Sequence, residues 1–123
     1  MVWTFNNQRP IYMQIMERIK LDIVANQVKP GERLLSVREL AEEAGVNPNT
    51  IQRALSDLER EGLVYSQRTA GRFVTDNQDL IAQTRQDLAQ EELDHFVSNM
   101  LRLGYDKQDL AQTVANHLAS QTS

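Results

Sequence analysis

Asn47, Asn49, Thr50, Gln52 and Arg53 form a short run of hydrogen-bonding side chains with no acid among them. Asn and Gln can bond adenine bidentately, Arg can do the same to guanine, and a Thr methyl can touch the thymine methyl. The competing reading is that Asn47 merely caps a helix and the others are solvated polar residues. Arg38 lies just after Ser36, where it could reach a phosphate or pair with Glu42 one helical turn on. Arg68 and Arg72 flank Thr69, Ala70 and Gly71 on a small loop. Two cations at such a tip suit phosphate contact or minor-groove insertion, or else simply keep the loop soluble.

These residues need elements to hold them. Residues 1–9 read as an arm with a short extended piece at Val2–Phe5. A helix follows from Pro10 to about Asn26, with Tyr12, Ile15, Met16, Ile19 and Ile23 as its apolar stripe. Lys29-Pro30-Gly31-Glu32 signals a turn. Ser36-Val37-Arg38-Glu39 is a capping box that opens a short helix, which Gly45 ends. Val46 is the one residue of the turn expected inside. Asn47-Pro48 restarts a helix at once, with Ile51, Ala54, Leu55 and Leu58 as its core stripe and Gly62 as its stop. Two helices joined by a short turn containing Gly make a helix-turn-helix, whose second helix carries the hydrogen-bonding run.

After Gly62 the periodicity changes. Leu63–Ser66 and Arg72–Thr75 are β-prone, and Gln67–Gly71 between them reads as a hairpin loop, or wing. Asp76-Asn77-Gln78 marks a boundary. From Asp79 to Leu103 the chain has no Pro or Gly and reads as a long helix. Gly104 breaks it, Asp106 is placed to cap a last helix built on Leu110, Val114, Ala115 and Leu118, and residues 119–123 should fray. The expected architecture is mainly α with a small β-hairpin: a winged helix-turn-helix over 1–75 and a two-helix dimerisation tail over 76–123. Two helices cannot bury both faces of the long stripe, so a second copy is expected over Leu88, Leu93, Phe96, Val97, Met100 and Leu101.

The totals exclude several classes. The 123 residues contain no Cys, so no disulfide, thiolate metal site or Cys nucleophile exists. No signal peptide or membrane-spanning run is visible, and a cytoplasmic location without membrane partners is expected. The net charge of −4 argues at first against nucleic acid, but it is unevenly placed. Residues 1–75 carry ten Lys/Arg against nine Asp/Glu, whereas 76–123 carry three against eight. A balanced first part with cations at its tips is compatible with DNA, provided the acidic tail faces away. His95 and His117 are the only histidines and lack ligand spacing; Glu91, Glu92 and Asp94 beside His95 read as the solvated face of an acidic helix. Phosphate loops and nucleophile elbows are missing, so no enzyme, metal or cofactor is expected. A protein-interaction scaffold would show apolar residues where Asn49, Thr50, Gln52 and Arg53 stand.

Five linked motifs resemble the GntR family of bacterial transcription regulators, in that family's order and spacing. They are Pro10-Ile11-Tyr12-x-Gln14-Ile15, Lys29-Pro30-Gly31-Glu32-Arg33-Leu34, Ser36-Val37-Arg38-Glu39-Leu40-Ala41, Val46-Asn47-Pro48-Asn49-Thr50-Ile51-x-Arg53-Ala54-Leu55 and Leu58-Glu59-x-Glu61-Gly62-Leu63-Val64. The resemblance implies a dimeric regulator, by family habit a repressor, on a palindromic double-stranded operator. It implies DNA contacts at Ser36, Arg38, Asn49, Thr50, Gln52 and Arg53, and at Gly71 in the wing. Leu35 stands where the family has Pro, and Gln67-Arg68-Thr69-Ala70-Gly71-Arg72 lacks the family's first wing Gly and its Lys. The short stretch after Thr75 resembles the YtrA subfamily, whose tails serve dimerisation. Nothing in 76–123 marks a small-molecule site, which leaves the dimer interface and the tail's junction as the places with room for an effector.

Overall fold

The computed structural model describes residues 3–121. Its elements run α1 (Ile11–Val24), α2 (Val37–Ala44), α3 (Pro48–Arg60), β1 (Val64–Gln67), β2 (Gly71–Val74), α4 (Gln78–Arg102) and α5 (Lys107–Ser120). The mainly helical architecture with one antiparallel hairpin is as expected. Compactness divides the chain between Arg85 and Gln86.

The first unit is built on α3. Ile51, Ala54, Leu55 and Leu58 are 0% exposed and meet Ile15, Ile19 and Ile23 of α1 and Leu40 and Ala41 of α2 in one core. Local chemistry sets the helix ends. The Ser36 hydroxyl accepts the Glu39 N–H at 3.1 Å while the Glu39 carboxylate accepts the Ser36 N–H at 2.9 Å. Gly45 ends α2 in the left-handed region with φ 68°. Asn47 then caps α3, its side-chain oxygen accepting the Asn49 N–H at 2.8 Å, with Pro48 in the first helical position. Val46 is half-buried against the core rather than fully inside.

The wing is held from two sides. β1 and β2 pair from Val64 with Val74 out to Gln67 with Gly71, one residue earlier than expected at the far strand. The segment read as a turn also lends β2 a third edge. Gly31 donates to the Val74 carbonyl, Val74 to Glu32 and Leu34 to Arg72, at 2.8, 2.9 and 2.9 Å. The proline and glycine that mark the turn hid this pairing, because Arg33 alone bridges Phe73 as a strand residue. On the other side, one Glu59 oxygen of α3 accepts from the Ser66 hydroxyl and from Arg72 Nε, the latter at 2.5 Å. Those donors favour the carboxylate, Ser66 most and then Arg72, and hold the Glu59 pKa below its ordinary value. At the tip, Thr69 sits at φ 67°, where L side chains rarely go.

Residues 3–5 form no strand; Trp3 instead stacks on Phe5 with Arg18 over its ring at 5.1 Å. Val2 lies outside the described residues. Gln14 ties the arm to α1, accepting the Asn6 N–H and donating to the Asn6 and Arg9 carbonyls. The start of α4 completes the unit. Ile81 (5% exposed) joins the core, and Arg85 donates to the Val24 carbonyl at 2.8 Å. In the second unit, α4 ends in a Schellman turn in which Tyr105 donates to the Met100 carbonyl with Gly104 at φ 100°. Asp106 is the N-cap of α5 by conformation, without a side-chain bond. Helix α5 holds to Ser120, past the expected onset of fraying, while residues 122 and 123 lie outside the described residues.

Three tests follow from this packing. Ile81→Ala should lower unfolding free energy by about 2–4 kcal/mol in urea, since it empties a core position. Thr69→Gly should raise it by about 0.5–1 kcal/mol, the relief of a left-handed β-branched residue outweighing glycine's extra freedom in the unfolded chain. Glu59 is protonated more readily in the unfolded chain than in the folded one. Its contribution is therefore complete above the ordinary glutamate range and lost as pH falls through its lower folded-state value. Glu59→Gln should flatten that part of the acid-unfolding curve; an unchanged curve would disprove the wing anchor.

Candidate nucleic-acid interface

Helix α3 is amphipathic to a sharp degree. Its inner face is the core, and its outer face near the N-terminus carries Asn49, Gln52 and Arg53, all exposed, with Thr50 half-buried. Asn49, Thr50 and Arg53 are brought together around a shallow depression that Ile11 and Tyr12 of α1 also line. The side-chain oxygen of Asn47 is occupied by its cap, so that residue first of all sets where α3 begins. Gln52 donates to the Ser56 hydroxyl at 3.3 Å, a weak intrahelical bond that leaves its oxygen available.

Arg38 projects from the first turn of α2, its side chain 89% exposed, and meets Glu42 at 3.8 Å. A pair so exposed is worth little, and the guanidinium can exchange it for another anion at small cost. Ser36 beside it is committed to the capping box, whose backbone and side-chain bonds from Ser36 lower the Glu39 pKa. A cap of this kind contributes about 1 kcal/mol and fixes the direction in which α2 leaves.

The wing cations divide. Arg68 is exposed at the tip, whereas Arg72 is half-buried on β2 and bound to Glu59. Gly71 has φ 106°, a backbone conformation that calls for glycine, and a Cβ there would press on the Arg33 side chain at 3.0 Å from its Nε. Arg33 itself donates to the Ala70 carbonyl at 3.0 Å. Three residues escaped the sequence reading: Arg33, Glu59 and, beneath Arg53, Tyr12. Tyr12 sits on the apolar stripe of α1 and reads as core, and nothing in the spacing of Glu59 points to Arg72, thirteen residues further on in β2.

The second unit leaves large apolar side chains in water. Leu93, Phe96 and Leu101 are 56%, 42% and 37% exposed, and Leu103, Tyr105 and Leu118 are exposed as well. Leu88, Val97 and Met100 are half-buried. Among the described residues of this unit, only Leu110 is buried. No group of three or more His, Cys, Asp or Glu among the described residues could hold a metal ion. No helix among them is long and apolar enough to cross a membrane.

Residues 11–74 match the family described as bacterial regulatory proteins, gntR family. The uncharacterised helix-turn-helix regulator YhcF of Bacillus subtilis is 37% identical over 89% of this chain and 91% of its own. The transcriptional repressor YtrA of the same organism is 31% identical over 85% of this chain and 82% of its own. A solved GntR family transcriptional regulator from Listeria monocytogenes superposes with a TM-score of 0.82 at 38% identity, covering 91% of this chain and 98% of that one. These relatives are transcription regulators rather than enzymes, and each is matched over most of its length. The chain belongs to the GntR family, as a YtrA-like transcription regulator whose first compact unit is a DNA-binding winged helix-turn-helix.

Proposed function

We propose that this regulator is a repressor that reads a palindromic operator as a homodimer. The observation that carries the reading is the division of α3: its inner face is sealed into the core, and its N-terminal outer face presents Asn49, Gln52 and Arg53 to solvent. Such a helix can enter the major groove and place amide and guanidinium groups against base edges. Thr50 adds a methyl that can meet a thymine. Arg38, with Ser36 beside it, and Arg68 with Gly71 at the wing are the phosphate and minor-groove contacts. Arg72 reaches DNA only by sharing itself with Glu59, so it supports the wing more than the duplex.

Dimerisation belongs to the tail over 76–123, whose first residues to Arg85 also pack into the first unit, and DNA binding to the winged helix-turn-helix over 1–75. Leu93, Phe96, Val97, Met100 and Leu101 recur every three or four residues along one side of α4, whereas Leu88, five residues before Leu93, turns away from that stripe. A stripe this exposed on a two-helix unit is covered in a stable protein, and a second copy supplies an equal and self-complementary face. One winged helix reads few base pairs; two half-sites multiply their discrimination. The acidic character of the tail keeps that part away from phosphate.

Selection of binding sites from a random duplex library, followed by affinity measurements across salt, tests both parts. The expected result is an inverted repeat whose affinity falls steeply with salt, by a slope of about −0.9 per phosphate contacted. Phe96→Glu with Leu93→Glu should yield monomers in sedimentation and weaken binding to the full repeat by roughly a hundredfold, leaving half-site affinity unchanged. A single unrepeated site, or a full-strength complex from the monomeric variant, would overturn the dimeric reading. No enrichment at any salt would overturn operator recognition itself.

A further inference from the structure

Arg53 is held in an unusual way for an exposed arginine. Its guanidinium carbon lies 3.7 Å from the centroid of the Tyr12 ring, well inside the range of a cation–π contact. Tyr12 stands in the first turn of α1 and is half-buried; Arg53 stands in the second turn of α3. The two helices pack directly on each other through Ile15, Ile51 and Leu55, all fully buried, so both partners rise from one rigid base. Arg38, Arg60 and Arg72 each face a carboxylate, at 3.8, 2.9 and 2.5 Å. Among the described residues, no carboxylate or carbonyl engages the Arg53 guanidinium, which lies over the Tyr12 ring.

The chemical consequence lies in which part of the guanidinium remains open. Stacking uses the π face and leaves all five N–H donors, which lie in the plane, unclaimed. An arginine in water samples many rotamers and must lose that freedom to make a two-pronged contact. A ring beneath it removes much of that loss before DNA arrives, which is preorganisation. A carboxylate partner would also fix the side chain, but it would compete for the donors a base edge needs.

We propose that Tyr12 is a specificity-determining positioning residue. It holds the Arg53 guanidinium in the plane required for a bidentate contact to a guanine edge, without touching a base itself. The proposal rests on the operator reading above and assigns one position of that operator to a tyrosine on a different helix. It also gives the Pro10-Ile11-Tyr12 motif a role beyond the core stripe, since this motif begins α1 where α3 passes.

The test uses the full chain with Tyr12→Phe, Tyr12→Leu, Arg53→Ala and the Tyr12→Leu/Arg53→Ala double substitution. Each binds a panel of duplexes carrying the selected site and every single-base change in one half of it. Arg53→Ala should lower discrimination at one G·C position by about tenfold or more. Tyr12→Leu should lower it at that same position by about three- to tenfold, and Tyr12→Phe should match the original chain. The double substitution should be no worse than Arg53→Ala alone, because the ring acts only through the arginine. Thermal unfolding and sedimentation of each variant show that fold and assembly persist. A uniform loss across the panel for Tyr12→Leu, or losses that add in the double substitution, would overturn the proposal. So would an Arg53→Ala variant that weakens every duplex equally and reduces the salt slope by about one, the mark of a phosphate contact. An original chain that discriminates among no duplexes would sink the operator reading, and the proposal with it; the other outcomes leave that reading standing.

Discussion

The burial of one face of α3 is the constraint on which the rest of the first unit depends. Ile51, Ala54, Leu55 and Leu58 lose all contact with solvent against α1 and α2. Interiors packed this closely do not deform continuously, so the helix has one position and its outward face one direction. Every candidate contact from Asn49 to Arg53 inherits its precision from that seating. The same contact brings the first turn of α1 beside the second turn of α3 and so sets Tyr12 under Arg53. The polar face of α3 is thus aimed by the apolar side chains beneath it.

The wing shows the opposite economy of materials. Its four-residue strands bury little, and a lone hairpin of that size is marginal in water. It is steadied instead by polar ties to other elements: Glu59 from α3 gathers Ser66 and Arg72, and Arg33 reaches the Ala70 carbonyl across the close approach that Gly71 permits. The strained Thr69 at its tip is tolerated because both strands are held below it. A cation counted on the wing is therefore not automatically a cation offered to a ligand. Arg68 is offered, and Arg72 is in use.

The second unit presents a different balance. Its two helices follow one another through a glycine turn that satisfies the last carbonyls of α4, so each is well formed by itself. Yet Leu110 alone is buried among its described residues, while several large apolar side chains stay in water. Local structure and burial are out of step there: the helices are complete while their apolar side chains are not covered.

Helix identities, their caps and the core stripes were determined by the sequence alone, because each depends on residues within a few positions of one another. Ser36 with Glu39, Gly45, Asn47 with Pro48, and the spacing of Ile51, Ala54, Leu55 and Leu58 carry their meaning locally. The ordered motifs likewise sufficed to identify the family and to name α3 as the helix that carries the polar run. What tertiary structure decided were the relations between residues far apart in the chain. These are the pairing of the Gly31–Leu34 segment with β2, the Glu59 tie to the wing, Ile81 closing the first core, and Tyr12 beneath Arg53. No periodicity encodes them, since each arises only when helices and strands that are separately legible are packed together, and the side chains that meet are chosen by that packing.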